Sequence, residues 1–507
     1  MTNLYVRLMG EGPNPARTAI ETAAGRRWSW GDIAALAARM ASLLVARGVK
    51  PGDRVAVQVE KSVANFVLYL ATLRAGAVYL PLNTGYTPNE LSYFLADAEP
   101  SLVVCDPARR KDVAALVKDR GTALETLASD GKGSFGKAAA RQRAIFATVP
   151  RADDDLAAIL YTSGTTGRSK GAMLTHANLL SNAETLVAAW RFTEDDVLIH
   201  ALPIYHTHGL FVAANVALLA RAAMIFLPKF DAGEILRLMP RATAMMGVPT
   251  FYVRLLRQAG LTRAATAHMR LFTSGSAPLL AETHREWQAR TGHAILERYG
   301  MTETSMITSN PYDGARLAGT VGPPLPGVAA RVTDPESGRV LGRDEIGMIE
   351  VKGPNVFKGY WRMPEKTAAE FRPDGFFITG DLGKIDGDGY VHIVGRGKDL
   401  IVTGGLNVYP KEVEVEIDAI AGVTESAVIG LPHSDLGEGV TAIVVPAANA
   451  AIDEAGVLAA LDGRLARFKQ PRRVLFVDEL PRNTMGKVQK NALRERYAGL
   501  YVATAQQ

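Results

Sequence analysis

Short runs of Val, Ile and Leu alternate along the chain with longer segments in which apolar and polar residues recur at helical spacing. The runs at 55–59, 102–104, 222–227 and 269–272 have the length and branched composition of buried strands. Between the first two, residues 63–75 read as a helix stopped by Gly76. This alternation predicts an α/β protein of several layers around buried strands. Residues 129–137, rich in Gly, Ser and Lys, read as an exposed loop. No internal repeat is evident.

The texture changes near Gly395. Gly395-Arg396-Gly397-Lys398-Asp399 is followed by Thr403-Gly404-Gly405, and Pro410 then opens a predicted helix at 411–420. Strand-like 426–429 and 442–445, a helical stretch at 454–467 and strand-like 474–477 complete an α+β unit of about a hundred residues, an ordinary domain size. On pattern alone, residues 395–399 suit a surface turn equally well.

Composition narrows the class. A chain of 507 residues outgrows one small core, so two or more domains are expected. With 48% hydrophobic and 21% charged residues it is an ordinary globular sequence, neither disordered nor fibrous. The net charge of +5 is small and spread out, which makes no electrostatic case for nucleic acid. Cys105 is the single cysteine, so neither an internal disulfide nor a cysteine metal site can form, as suits a reducing cytoplasm. Residues 1–10 lack a basic segment followed by an apolar run, and the apolar stretches 66–73 and 210–220 are too short to span a bilayer. A soluble, cytoplasmic protein is expected.

The most informative segment is Tyr161-Thr162-Ser163-Gly164-Thr165-Thr166-Gly167-Arg168-Ser169-Lys170-Gly171, which follows the apolar run 156–160. Its glycines let backbone approach a ligand closely, its hydroxyls donate, and Arg168 and Lys170 add positive charge, a set suited to a polyphosphate. The spacing is not that of a Walker A loop. This segment resembles the phosphate-binding signature of the adenylate-forming superfamily, which comprises acyl-CoA synthetases, adenylation domains and luciferases. Five further segments match in the family's order. They are Leu202-Pro203-Ile204-Tyr205-His206 beside the acyl pocket, Tyr299-Gly300-Met301-Thr302-Glu303, Gly380-Asp381, Gly395-Arg396-Gly397-Lys398, and Pro481-Arg482-Asn483-Thr484-Met485-Gly486-Lys487.

The resemblance implies a large multi-layer N-terminal domain at 1–397 and a small mobile α+β domain at 398–507, with the hinge at Lys398. It implies ATP, Mg2+ and coenzyme A. Thr162, Ser163, Gly164, Thr165, Thr166, Gly167 and Lys170 would hold the phosphates, with Thr302 donating to the α-phosphate. Tyr299 would stack on adenine, beside Ser276, Glu297 and Gly300. Asp381 and Arg396 would bind the ribose, and Glu303 the magnesium. Lys487 would bridge the acid and the α-phosphate, two anions that must meet. Gly404 and Gly405 would line the coenzyme A channel. Acetylation of Lys487 by an acetyltransferase, reversed by a deacetylase, would remove the charge that adenylation needs.

The acid is addressed by other residues. Arg298 precedes Tyr299, Arg254 lies in a second segment bordering the acyl pocket, and His206, which the resemblance also gives a catalytic role, adds a third polar group. The resemblance extends the pocket to Ser274, Gly275 and Met306. A buried second carboxylate requires a cation, and Arg matches its geometry. The Glu-Arg-Tyr-Gly-Met-Thr-Glu run is similar to that of malonyl-CoA synthetases, which implies malonate, with methylmalonate next. Other readings are a short-chain monocarboxylate ligase, an adenylation enzyme loading a separate carrier protein, a luciferase-like oxygenase and a non-catalytic nucleotide binder. Ion pairing is the structural alternative for Arg298, and an exposed helix charge that for Arg254.

Overall fold

A computed structural model of the chain describes residues 3–10, 14–162, 169–403, 406–433, 436–483 and 486–501, without the side chain of Asn407. Ser163, Gly164, Thr165, Thr166, Gly167, Arg168, Gly404, Gly405, Thr484 and Met485 therefore lie outside the described residues. By internal contacts the chain divides into two compact units, Met1–Ala329 with Val351–Phe377, and Ala330–Glu350 with Ile378–Gln507. The anticipated boundary at 397/398 falls inside the second.

The first unit is built on two sheets. One runs in the order Ser305–Ser309, Leu296–Met301, Leu271–Ser274, Ala244–Gly247, Val197–His200, Ala223–Phe226, Thr18–Thr22, Arg27–Ser29. The other runs Gly359–Tyr360, Lys170–Thr175, Leu156–Thr162, Val78–Pro81, Arg54–Gln58, Leu102–Cys105, Ala123–Thr126. Most central pairs are parallel, and these strands are apolar along nearly their whole length because helices cover both faces. The helix Val63–Arg74 is one of those covers. It is buried along almost its full length, and Gly76 ends it at a φ of +73°.

Two expectations need adjusting at their edges. Residues 134–137 begin a helix, Ser134–Ala140, because Phe135 and Ala139 sit one turn apart and bury the same face. The helix expected over 454–467 stops at Leu461, and Gly463 follows at a φ of +74°. Residues His208–Ala214 form a π-helix.

In the second unit the strand Val423–His433 pairs with Gly437–Pro446. Alternate residues supply two cores: Val428, Val440, Ala442 and Val444 pack on one face, and Ala427, Ile429, Ile443 and Val445 on the other. A period of two with both faces apolar marks a sheet covered on each side. The unit also holds most of a sheet ordered Ala329–Thr333, Gly347–Lys352, Phe377–Ile385, Val391–Arg396. Among the described residues no helix is long and apolar enough to cross a membrane.

One helix braces the edge of the first sheet. Thr175 and Asn178 cap His176–Ala189 reciprocally, and Asn178 also donates to the carbonyls of Pro354 and Val356. One turn on, the buried Asn182 donates to the Met306 carbonyl at 2.8 Å and accepts from its N–H at 3.2 Å. This amide completes the hydrogen bonding of the edge strand that covers Arg298. The Met306 carbonyl also accepts from Asn355 at 3.2 Å, so Asn182→Leu strands the Met306 N–H and is expected to cost about 1–3 kcal/mol, read from urea unfolding; an unchanged midpoint would show that the strand does not depend on it.

Candidate active site

Arg298 lies in Leu296–Met301, between Leu271–Ser274 on one side and Ser305–Ser309 on the other. It is 2% exposed, and among the described residues its Nε and Nη2 have no hydrogen-bond partner. Burial pulls its pKa down to about 9, against a small opposing effect of Tyr252, so it remains a cation at neutral pH. A Cβ at Gly275 would overlap the guanidinium, so only glycine lets the chain pass there. The next residue, Ser276, has a φ of +71°. Its Oγ lies 3.2 Å from Nδ1 of His208.

His208 is also buried, with Nε2 unpartnered. Burial first, then the charge of Arg298 and the neighbouring His206 and His200, holds it well below the usual imidazole range, so it is neutral. The Ser274 hydroxyl is a further buried group without a partner. Buried polar groups are normally satisfied. A guanidinium, an imidazole and a hydroxyl left unsatisfied around one glycine turn are a set of donors arranged for an acceptor from outside.

The π-helix that carries His208 is held from below. Lys61 Nζ donates to His200 Nδ1 at 2.9 Å and to the His200 carbonyl at 2.8 Å. That leaves the His200 proton on Nε2, which donates to the Gly209 carbonyl at 2.7 Å. The sequence reading missed Lys61 and His200, which carry no motif. Among the described residues no group of three or more His, Cys, Asp or Glu is placed to hold a metal ion.

A second cluster surrounds Glu303, which is 5% exposed. Its Oε1 lies 3.4 Å from the Thr162 hydroxyl and 3.1 Å from the Tyr360 hydroxyl. Thr162 faces Lys170 across the antiparallel pair Leu156–Thr162 and Lys170–Thr175. The Lys170 ammonium is 2.9 Å from Glu370 and 4.1 Å from the Tyr360 ring centre. Burial, then Glu303 and Glu370, keep the Tyr360 phenol protonated far above its ordinary range. Burial opposes ionisation of Glu370, but hydrogen bonds from Tyr360, Lys366 and Lys170 outweigh it and lower its pKa.

Other anticipated residues fall in different settings. The Glu297 carboxylate lies 3.4 Å from His284 Nδ1 and 3.4 Å from the Gly319 N–H. Tyr299 is half-buried opposite Thr308. A Cβ at Gly300 would overlap the Ser305 carbonyl. Thr302 is half-buried. Met306 is buried and held by Asn182. His206 is half-buried and accepts the His208 N–H on Nδ1 at 3.3 Å. Arg254 is exposed on the helix Pro249–Leu256, its guanidinium 5.9 Å from the Phe230 ring.

In the second unit Asp381 and Arg396 face each other across antiparallel strands and form a 2.7 Å ion pair. Lys398 is exposed in the turn Gly397–Asp399, and Asp399 is held by Arg494 at 2.7 Å. Lys487 is exposed at the end of a clasp. Asn483 accepts its N–H on Oδ1 and donates to its carbonyl, both at 2.9 Å.

Two α/β units, one with a buried cation and a buried carboxylate beside a glycine-rich turn, define an enzyme that handles anions. Residues 12–361 match the AMP-binding enzyme family and residues 412–487 the C-terminal domain of the same enzymes. The chain belongs to the AMP-binding enzyme family. It is 35% identical to a malonate–CoA ligase of Arabidopsis thaliana over 98% of this chain and 89% of that one. It is 36% identical to a feruloyl-CoA synthase of Amycolatopsis over 96% of each. The ATP-bound crystal structure of MatB from Rhodopseudomonas palustris superimposes with a TM-score of 0.97 at 68% identity, covering 98% of this chain and 99% of that one.

An unpaired buried cation costs stability that an apolar side chain of similar length would not. Arg298→Met is therefore expected to raise the melting temperature of the ligand-free protein. A lower melting temperature would mean that the guanidinium already has an internal anionic partner.

Proposed function

We infer that the protein is an ATP-dependent, AMP-forming acid–CoA ligase whose acid is malonate. The buried, unsatisfied Arg298 carries the choice of acid. The similarity to a malonate–CoA ligase and to a feruloyl-CoA synthase is nearly equal, so identity at that level leaves the acid open, whereas a guanidinium without an anion asks for a second carboxylate. Methylmalonate presents the same group. A short-chain monocarboxylate would leave Arg298 bare, and loading of a carrier protein has no feature here that favours it over coenzyme A.

The chemistry follows from the substrate. A carboxylate is a poor electrophile, so its oxygen first attacks the ATP α-phosphate, forming an acyl-adenylate and expelling pyrophosphate. The coenzyme A sulfur then attacks the acyl carbon and AMP leaves. Glu303, buried among hydroxyls, fits a magnesium ion, which prefers oxygen ligands and takes one or two carboxylates along with phosphates. Magnesium, when bound, offsets phosphate charge. Thr162 and Thr302 donate to phosphate oxygens, Tyr299 stacks on adenine, and Asp381 accepts from the ribose hydroxyls with Arg396 beside it. His206 borders the reacting carboxylate. Lys487 neutralises the two anions as they meet. Lys398 is the hinge between the half-reactions, Gly404 and Gly405 line the coenzyme A channel, and the setting is the cytoplasm.

Two experiments test this reading. Acid-dependent pyrophosphate exchange with malonate, acetate and octanoate is expected to favour malonate strongly. In Arg298→Met the malonate kcat/KM should fall by about 100-fold or more, with acetate little changed; equal loss on all three acids would remove Arg298 from specificity. Acetylation of Lys487 should abolish exchange yet leave thioester formation from added malonyl-adenylate; undiminished exchange would remove Lys487 from the first half-reaction.

A further inference from the structure

Lys170 closes the glycine-rich segment and was expected on the phosphates. Its ammonium is instead buried and committed. It is 2.9 Å from Glu370 Oε1, a contact that Lys366 shares at 2.9 Å, and it lies over the Tyr360 ring. The other oxygen of Glu370, Oε2, accepts from the Tyr360 hydroxyl at 2.6 Å. That same hydroxyl is 3.1 Å from Oε1 of Glu303. The backbone reinforces the arrangement, since Tyr360 pairs with Ala172 two residues beyond Lys170.

A phenol has one proton and can donate to one carboxylate at a time. Two lysines already satisfy Glu370, so the Tyr360 proton can turn to Glu303 without leaving Glu370 a bare buried anion. Remove the Lys170 charge, and Glu370 keeps one lysine in place of two and draws the Tyr360 hydroxyl more strongly to itself, which weakens the bond from Tyr360 to Glu303. We propose that Lys170, Glu370 and Tyr360 form a relay that positions the Glu303 carboxylate, and that Lys170 acts on the reaction through this relay and not by contact with phosphate. Lys170, Glu370 and Tyr360 are positioning residues in this account. The proposal rests on the assignment of Glu303 to the nucleotide's magnesium.

The test uses the full-length chain as Lys170→Met, Lys170→Arg, Glu370→Gln and Tyr360→Phe, with the double variant Lys170→Met/Tyr360→Phe. Two readouts are taken as functions of magnesium concentration: malonate-dependent pyrophosphate exchange, and the shift in melting temperature produced by ATP. Tyr360→Phe keeps the ring beneath Lys170 and removes only the hydroxyl. Lys170→Met and Tyr360→Phe are each expected to raise half-saturating magnesium about fivefold in both readouts, with the malonate KM unchanged. The double variant should be no worse than the poorer single variant, because members of one chain are not additive. Glu370→Gln should behave like Tyr360→Phe, and Lys170→Arg should restore most of the wild-type response.

The proposal is overturned if Tyr360→Phe matches wild type while Lys170→Met raises the ATP KM at saturating magnesium, or if the two effects multiply in the double variant. Should Lys170→Met fail to fold, Tyr360→Phe and Glu370→Gln decide by the same criterion. Wild type inactive with every acid would sink the ligase reading, while the ATP-induced melting shift would still test the relay.

Discussion

A positive charge kept in the interior without an anion is the constraint around which the acyl side of this protein is arranged. Arg298 lies inside a sheet, where a guanidinium loses its hydration and gains no carboxylate in return. Proteins tolerate such a group where the missing partner arrives as a ligand. Its surroundings follow from that. Gly275 has no side chain because the guanidinium fills the space, Ser276 takes a left-handed backbone next to it, and His208 stays neutral under the neighbouring charge. The edge strand that covers Arg298 is in turn tied by Asn182 to a helix capped at Thr175.

The nucleotide side solves the opposite problem. Glu303 is a buried carboxylate whose environment contains hydroxyls, from Thr162 and Tyr360. Hydroxyls orient a carboxylate without neutralising it. The full positive charge of Lys170 is spent one step away, on Glu370. In the proposed reading the cation that would meet the acid, Arg298, and the carboxylate that would meet the metal, Glu303, belong to one unit. In the second unit Lys487 is presented differently, on an exposed clasp made by Asn483.

Much of this was legible in the sequence, and the reasons differ by residue. Buried parallel strands announce themselves as short runs rich in Val and Leu, so 55–59 and 102–104 are displaced from the observed strands by a single residue at most. Motif order named the family, and the odd arginine before Tyr299 pointed to the acid. What stayed hidden depends on distant partners. Lys170 meets Glu370 two hundred residues away, and Lys61 meets His200 across 139 residues. Residues 129–137 looked like a loop by composition, yet Phe135 and Ala139, both buried on one face, pull its second half into a helix. Arg254 read as a pocket residue from its segment, and the helix turns it outward.

A crystal structure of the protein with a non-hydrolysable ATP analogue and malonate tests the account most directly. It should place the distal malonate carboxylate about 2.7–3.0 Å from the Arg298 guanidinium, with the reacting carboxylate turned toward the α-phosphate. Malonate bound with both carboxylates away from Arg298, and the guanidinium still without an anion, would contradict it.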